Sequence, residues 1–525
     1  MARYNLIVAA TTFGMVFAST LAHARGPDFD RDGYEDLAIG APGENVGSIV
    51  GAGAVNVLYG GASGLDDPAD RVTTLYQDLP DVAEASEAGD GFGHALAWGD
   101  FDGDCYDDLV VSVAGENTVS GAIHVFYGSI AGLTAGLNVV ITRDSAGVPG
   151  VPHSIDAFGR RLAAGDFNGD GIDDLAVSTA NYQGGSDGAD SVIILYGGNT
   201  GLSGTNGPGA HELSLPESAY GNPSFGEQFT TGDFNCDSYE DLAVGAHTAD
   251  KAGVGVDVGR VTVVYGSVTG LNLSAGPGAQ QFTGAAVGDT FGAAVTAANF
   301  NADTSGGRAC VDLAIGAPQM YGSHVGYVSV LFGTAASGLQ TASPARQQIS
   351  QDWNNIQGEG ASEIEYQFFG ASLTSGRADS DNYADLLVGV PNENDQRGVV
   401  HAIRGSASGL TDLGNQMWDQ LTTYVPDSPE SGDLFGQRLT CGKYSGAGPD
   451  DFAVWVPYEF GALPDKHGAV QVLYTTSAAT PSLSAGEQWT QADIDTQLTE
   501  AEDDFGAALT ASRPIGVRPA SECIM

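Results

Sequence analysis

The residues best placed to do chemistry are acidic and evenly spaced. DFDGDCYDD, from Asp100 to Asp108, sets carboxylates at loop positions 1, 3, 5 and 9: Asp100, Asp102, Asp104 and Asp108. The main-chain carbonyl of Tyr106 is available at position 7. Alternate residues of a tight loop point at one centre, and four carboxylates so gathered repel one another unless a cation joins them. A hard ion taking six or more oxygens suits such a set, and calcium is the expected choice over the smaller, strictly octahedral magnesium. An EF-hand is excluded, because its bidentate Glu at position 12 is Val111 here and strands are expected where it has helices.

Three further loops carry the same set. They are Asp28, Asp30, Asp32 and Asp36 with the Tyr34 carbonyl; Asp166, Asn168, Asp170 and Asp174 with that of Ile172; and Asp233, Asn235, Asp237 and Asp241 with that of Tyr239. About four calcium sites are therefore expected. Three more loops degrade the pattern. The fifth has Asn299, Asn301 and Asp303, then an insertion containing Arg308 before Asp312. The sixth keeps Asp379, Asp381 and Asp385 but has Arg377 first, whose charge is expected to replace an ion. The seventh, with Lys443 and Ser445, has no ligand set. One loop alone leaves room for a solvated Asp/Asn/Gly turn; four in register do not.

The loops must be held by a repeating frame. Phe-Gly pairs begin at Phe92, Phe158, Phe225, Phe291, Phe369, Phe435 and Phe505, most of them about 66 residues apart. All but the last open an apolar run leading to one of these loops; a DLAVGA-type run, a GAVxVLYG-type run and a weaker fourth run follow. Alternating apolar positions, β-branched and aromatic residues and Gly-rich boundaries predict strands, and no segment sustains helical periodicity. Four short strands per repeat predict a β-propeller. The chain begins after a Phe-Gly run and ends on one, so the expected fold is all-β: seven blades, closed where the strand from Phe505 completes the N-terminal blade.

Residues 1–24 read as a secretory signal peptide, with Arg3, an apolar middle and Ala22-x-Ala24 before an expected cut. The propeller is expected over 25–513, with a tail at 514–525. No later run is long enough to cross a bilayer, so a secreted, extracellular protein is expected. A net charge of -47 makes nucleic acid and anionic lipid poor partners. Five cysteines are too few for a disulfide framework, and their odd number leaves one unpaired within the chain. Proximity after ring closure suggests a Cys441–Cys523 bridge.

The Phe-Gly strands alternating with DFDRDGYEDLAIGAP, and the shorter VDLAIGAP from Val311, resemble the FG-GAP repeat of the integrin alpha-subunit head. The resemblance spans Asp28 to Ser512. It implies calcium in the loops between first and second strands, and partners on the opposite face. Leg domains and an inserted domain are not found in the sequence, so integrin signalling is not implied. The function expected is a calcium-stabilised secreted module that binds an extracellular protein or glycan in adhesion, and not an enzyme. Its contact surface would be the loops following second strands and preceding Phe-Gly strands, with Tyr182, Tyr321, Tyr458 and Phe460 as anchors. FG-GAP repeats also accompany phospholipase D enzymes acting on glycosylphosphatidylinositol anchors, so a hydrolase or lyase is the alternative. A purely structural coat component is a third reading, disfavoured because a closed ring offers few edges. The histidines form no metalloenzyme grouping such as H-x-x-E-H, and no nucleophile elbow is present.

Overall fold

The computed structural model describes residues 24–514, except for 66–71, 117–119, 151–155, 180–190, 214–224, 319–325, 359–366, 460–467, 495–502 and the positions 137, 336, 343–344, 354 and 447. The expected signal peptide therefore lies almost wholly outside the described residues.

The chain builds seven four-stranded antiparallel sheets, each a blade. In the fourth blade the strands are Gln228–Gly232, Asp241–Ala246, Arg260–Val264 and Gln280–Thr283, running in order from the channel outward. The first blade takes its innermost strand from the far end of the chain: Ala508–Leu509 pairs with Leu37–Ala41, in the register Gly40↔Ala508 and Ile39↔Leu509. The second strands, such as Asp174–Thr179 and Asp312–Ala317, are buried at every position, because each blade is covered on both faces. Their apolar runs are accordingly continuous rather than alternating.

The Phe-Gly pair has a steric origin. The glycine of all seven pairs has φ between +89° and +96°, a region costly for any residue with a Cβ. This bend drives the phenylalanine between blades. Phe158, fully buried, packs there with Val110 and Ile123 of the second blade and Leu175 and Val177 of the third. A glycine opening the third strand makes room for it: a Cβ on Gly259 would lie 2.2 Å from the backbone nitrogen of Phe291.

The innermost strands line a central channel. At the acidic-loop end, Arg513–Pro514 pairs with Ala24–Arg25 and lies across it. Arg513 stacks on Trp98, 4.7 Å from the ring centre, and makes ion pairs to Asp173 and to Glu240, the latter at 3.6 Å.

The cysteine expectation is corrected. Cys441 is a free, buried thiol donating to the Ser375 carbonyl at 2.9 Å. The bridge in the described chain is Cys236–Cys310, and Cys105 is disulfide-bonded as well. Cys236 lies in the fourth acidic loop and Cys310 ends the insertion of the fifth, so the bridge ties neighbouring loops together.

Candidate metal centres

Each acidic loop leads into the second strand of its blade, and in six blades joins the first strand to it, so all seven lie at one end of the channel. In the four complete loops the chain wraps its first aspartate. Asp166 accepts from the backbone of Gly169 at 2.7 Å, Asp170 at 3.1 Å and Gly171 at 3.0 Å. Asp233 accepts from Asp237 and Ser238, both at 2.9 Å, and Asp28 accepts from Asp32 and Gly33, both at 3.1 Å. Asp100 accepts from Gly103 at 2.7 Å and Cys105 at 3.1 Å. Positions 3 and 5 make short Asx turns, as in Asn168 accepting from Asp170 at 2.8 Å and Asp170 from Ile172 at 3.0 Å. These turns aim the ligand residues at one centre. Ligand oxygens of Asp28, Asp30 and Asp32 lie within 4.8 Å of one another, as do those of Asp100, Asp102 and Asp108. The position-7 residues, Tyr34, Tyr106, Ile172 and Tyr239, also close their loops: each donates its N–H at 3.0 Å to the aspartate two residues earlier.

Position 9 carries a role that spacing did not reveal. Asp241 binds its own loop through Phe234 N–H and the end of the third strand through Gly266 N–H, both at 2.9 Å. Asp36, Asp108, Asp174, Asp312 and Asp385 make the equivalent pair of bonds. So does Asp451, in the loop without a ligand set, through Ser445 and Thr475. This aspartate is thus a structural staple in every blade, and in the four complete loops the two bonds, one to each oxygen, leave lone pairs for a cation. The acid before it clasps the preceding loop: Asp107 accepts from Asp28 N–H at 2.8 Å and Asp173 from Asp100 N–H at 3.0 Å. Glu35 joins the ends of the ring, accepting from Lys443 N–H at 2.7 Å.

Packed this way, the carboxylates resist ionisation. Burial, and then neighbouring acids, push Asp28, Asp102, Asp166 and Asp233 up to about 6, against backbone hydrogen bonds that pull the other way. Asp36, Asp108, Asp174 and Asp241 are raised further, chiefly by burial. Such a donor set fits a divalent ion held by oxygen, which would neutralise the repulsion.

The sixth loop supplies an internal comparison and a correction. Arg404, at the end of the third strand Val399–Arg404, reaches Asp379 at 2.6 Å and Asp381 at 3.0 Å. It supplies the positive charge expected of Arg377, whose backbone instead donates to Asp450 at 2.7 Å and whose Nε is buried without a partner. In the third and fourth loops the described ion pairs reach only the position-8 acids Asp173 and Glu240, not the ligand positions. In the fifth loop Asn301 Nδ2 donates to Asp303 at 3.0 Å, as Asn235 Nδ2 donates to Asp237 at 2.9 Å in the fourth, and Thr304–Ser305 and Arg308–Ala309 fold the insertion into a small hairpin.

Sequence spacing also missed acidic groups at the opposite end. Glu87, Asp90 and Glu116 converge there, as do Glu430, Asp433 and Glu459. The signal was an Asp two residues before Phe-Gly paired with a Glu in the turn after a second strand. Gln420 donates to Glu459 at 3.1 Å and Gln77 to Glu116 at 2.7 Å. Burial foremost, then Asp427 and Asp433, push Glu459 up to about 9, so its carboxyl holds a proton at neutral pH. The folded state keeps this proton while the unfolded state releases it above about 4.5, so stability falls as pH rises from about 4.5 towards 9. Glu459→Gln should flatten that slope, measured by urea unfolding at pH 5, 7 and 9; an unchanged slope would assign it to other groups. Of the expected aromatic anchors, Tyr458 is exposed, while Tyr182, Tyr321 and Phe460 lie outside the described residues.

Seven radially arranged blades with acidic loops between first and second strands define a repeat propeller. The FG-GAP repeat model matches residues 24–58, 92–126, 158–195 and 225–264, the four segments that hold the complete acidic loops. The chain thus carries FG-GAP repeats in a seven-bladed β-propeller that resembles the integrin alpha subunit. It is 32% identical over 200 residues to phosphatidylinositol-glycan-specific phospholipase D of Rattus norvegicus, covering 37% of this chain and 22% of that protein. It is 31% identical over 230 residues to integrin alpha-PS2 of Drosophila melanogaster, covering 43% and 15%. The chain thus spans about a fifth of these relatives or less. Among solved structures, the exotype rhamnogalacturonan lyase YesX aligns at 11% identity with a TM-score of 0.41, over 96% of this chain and 80% of the lyase. The expectation that the chain is not an enzyme is overturned by these findings: the phospholipase D relatives are named as enzymes, from rat to Dictyostelium discoideum. Among the described residues no helix is long and apolar enough to cross a membrane.

Proposed function

We propose that the chain is a calcium-loaded FG-GAP propeller that recognises an extracellular protein or glycan partner through the face opposite its acidic loops. The observation that carries this reading is that the repeated acidic loops all lie at one end and leave the other without them. One end is occupied by carboxylate loops whose hydrogen bonds are spent on holding themselves and their neighbours. The other has no such loops and exposes apolar side chains, Val254, Val256 and Val287 on one side, Leu421, Tyr424 and Tyr458 on another, although Ile130 and Val268 are also exposed beside the acidic loops. Exposed apolar groups of this kind favour partner contact. When bound, calcium supplies charge neutralisation; the residues that would hold it are those of the first four loops.

A second reading is favoured by the phospholipase D relatives, in which the chain takes part in acting on phosphatidylinositol-glycan anchors. One experiment separates the two. The calcium-loaded protein is passed over a glycan array and, in parallel, incubated with cells bearing a phosphatidylinositol-glycan-anchored reporter. Retention on the array that is lost in a Val256→Asp or Tyr458→Ala variant supports recognition. Reporter release supports the anchor-directed reading, and neither response sinks both.

A further inference from the structure

The partner-facing end of the channel departs from the rest of this acidic molecule. A cavity of about 200 Å³ opens there, lined by residues one to three places after the Phe-Gly glycine on all seven innermost strands, with Ala511 beyond them. Most of its lining is alanine, leucine and glutamine, but Arg161, Arg438 and His94 point their chemistry into the same space. The chain has only 19 Lys and Arg against 66 Asp and Glu, so gathering two arginines at one small cavity, with Arg160 adjoining, is contrary to its overall balance.

The arginines are under-used. Arg161 donates Nε to the Glu227 carbonyl at 3.0 Å and Nη1 to the Arg160 carbonyl at 2.9 Å. Arg438 lies over the Trp455 ring, 5.7 Å from its centre, and its Nε is buried with no hydrogen-bond partner. Among the described residues no carboxylate pairs with either guanidinium. The neighbouring acid, Glu227, is held 2.7 Å from His247 Nδ1. The groups also repel one another. Burial, then Arg161, Arg160 and Arg438, hold His94 down at about 4. Burial, then Arg438 and Arg160, lower Arg161 to about 10, with Glu227 offsetting part of the effect. Gathered like charges with spare donors are what an anion would relieve, and a planar guanidinium suits a carboxylate or phosphate.

We propose that this channel mouth binds a single anionic oxygen group, a carboxylate or a phosphate, between Arg438 and Arg161. The inference deepens the partner-face reading, since it would make an acidic substituent the feature of the partner that is recognised. The C-terminal segment Arg513–Pro514 lies across the other end, so the group enters from the partner face.

The test uses the calcium-loaded full chain at low ionic strength. Sulfate, a phosphate isostere that leaves calcium in solution, and glucuronate are titrated against glucose as the neutral control, following melting temperature and heat of binding. Saturable binding of sulfate or glucuronate, with none of glucose, is expected, and which of the two binds assigns the phosphate or carboxylate source. Arg438→Gln should weaken that binding at least about tenfold, equivalent to ~1.4 kcal/mol. It should leave calcium stoichiometry unchanged and, without anion, should not lower the melting temperature, because a repulsion is removed. Arg161→Gln provides a second variant should the first misfold. No saturable response, or equal affinity in both variants, would overturn the proposal. Anion binding without any macromolecular partner would leave it standing while ending the partner-face reading; a partner whose affinity ignores both variants would do the reverse.

Discussion

Calcium titrated into the metal-stripped protein should bind at about four sites and raise the melting temperature by roughly 10 °C. Each ion that binds only the folded state adds about 2.7 kcal/mol at a hundred times its dissociation constant, so four give ~11 kcal/mol. The unfolding entropy of a chain this long is about 1 kcal/mol/K, which converts that gain to ~10 °C. Asp166→Ala and Asp233→Ala should each remove one ion and about a quarter of the increment. The response should also depend on pH. Asp28, Asp102, Asp166 and Asp233 are raised to about 6 without metal, so the stripped protein gains stability as pH falls below 6, where protons neutralise the carboxylates. Calcium must displace those protons, so its increment shrinks over the same window. Scanning calorimetry with and without calcium at pH 5 and pH 7.5 checks both. One ion, or none, with an unmoved melting temperature would end the four-loop assignment.

Arg404→Ala should be among the most damaging single changes to the scaffold. The side chain of Asp379 is 1% exposed and that of Arg404 22% exposed, so the pair is largely shielded from water. Deleting the guanidinium leaves Asp379 and Asp381 without their counter-charge beside Asp385, already raised to about 8 by burial and then by Asp379. Breaking a buried ion pair costs about 3–5 kcal/mol, and the partial exposure of Arg404 places the expected loss near the lower bound. The same substitution leaves Asp379, Asp381 and Asp385 within 4.8 Å of one another, with nothing between them. Millimolar calcium should therefore restore part of the lost stability and add one ion to the stoichiometry. Calcium-independent destabilisation would show that three carboxylates cannot hold an ion once the first ligand is gone. An undamaged variant would remove the argument that these loops need a positive charge at all.

The sequence alone determined the blade count, the strand order and the four complete acidic loops. Those features are local and repeated: each ligand set lies within nine residues, and each Phe-Gly bend is set by its own glycine. Residues a few places apart meet through short turns, so spacing is enough to see them. Tertiary structure decided the rest. Arg404 lies 25 residues beyond Asp379 and reaches it only because the third strand runs antiparallel to the second and ends beside the loop. Cys236 meets Cys310 because adjacent loops pack side by side, which leaves Cys441 as a buried thiol. The position-9 aspartates look like simple ligands in the sequence; only the return of the third strand shows them stapling two segments together. His94, Arg161 and Arg438 belong to three blades and are separated by up to 344 positions. They face one another solely because the ring closes, and closure is a property of seven sheets packed at once rather than of any repeat.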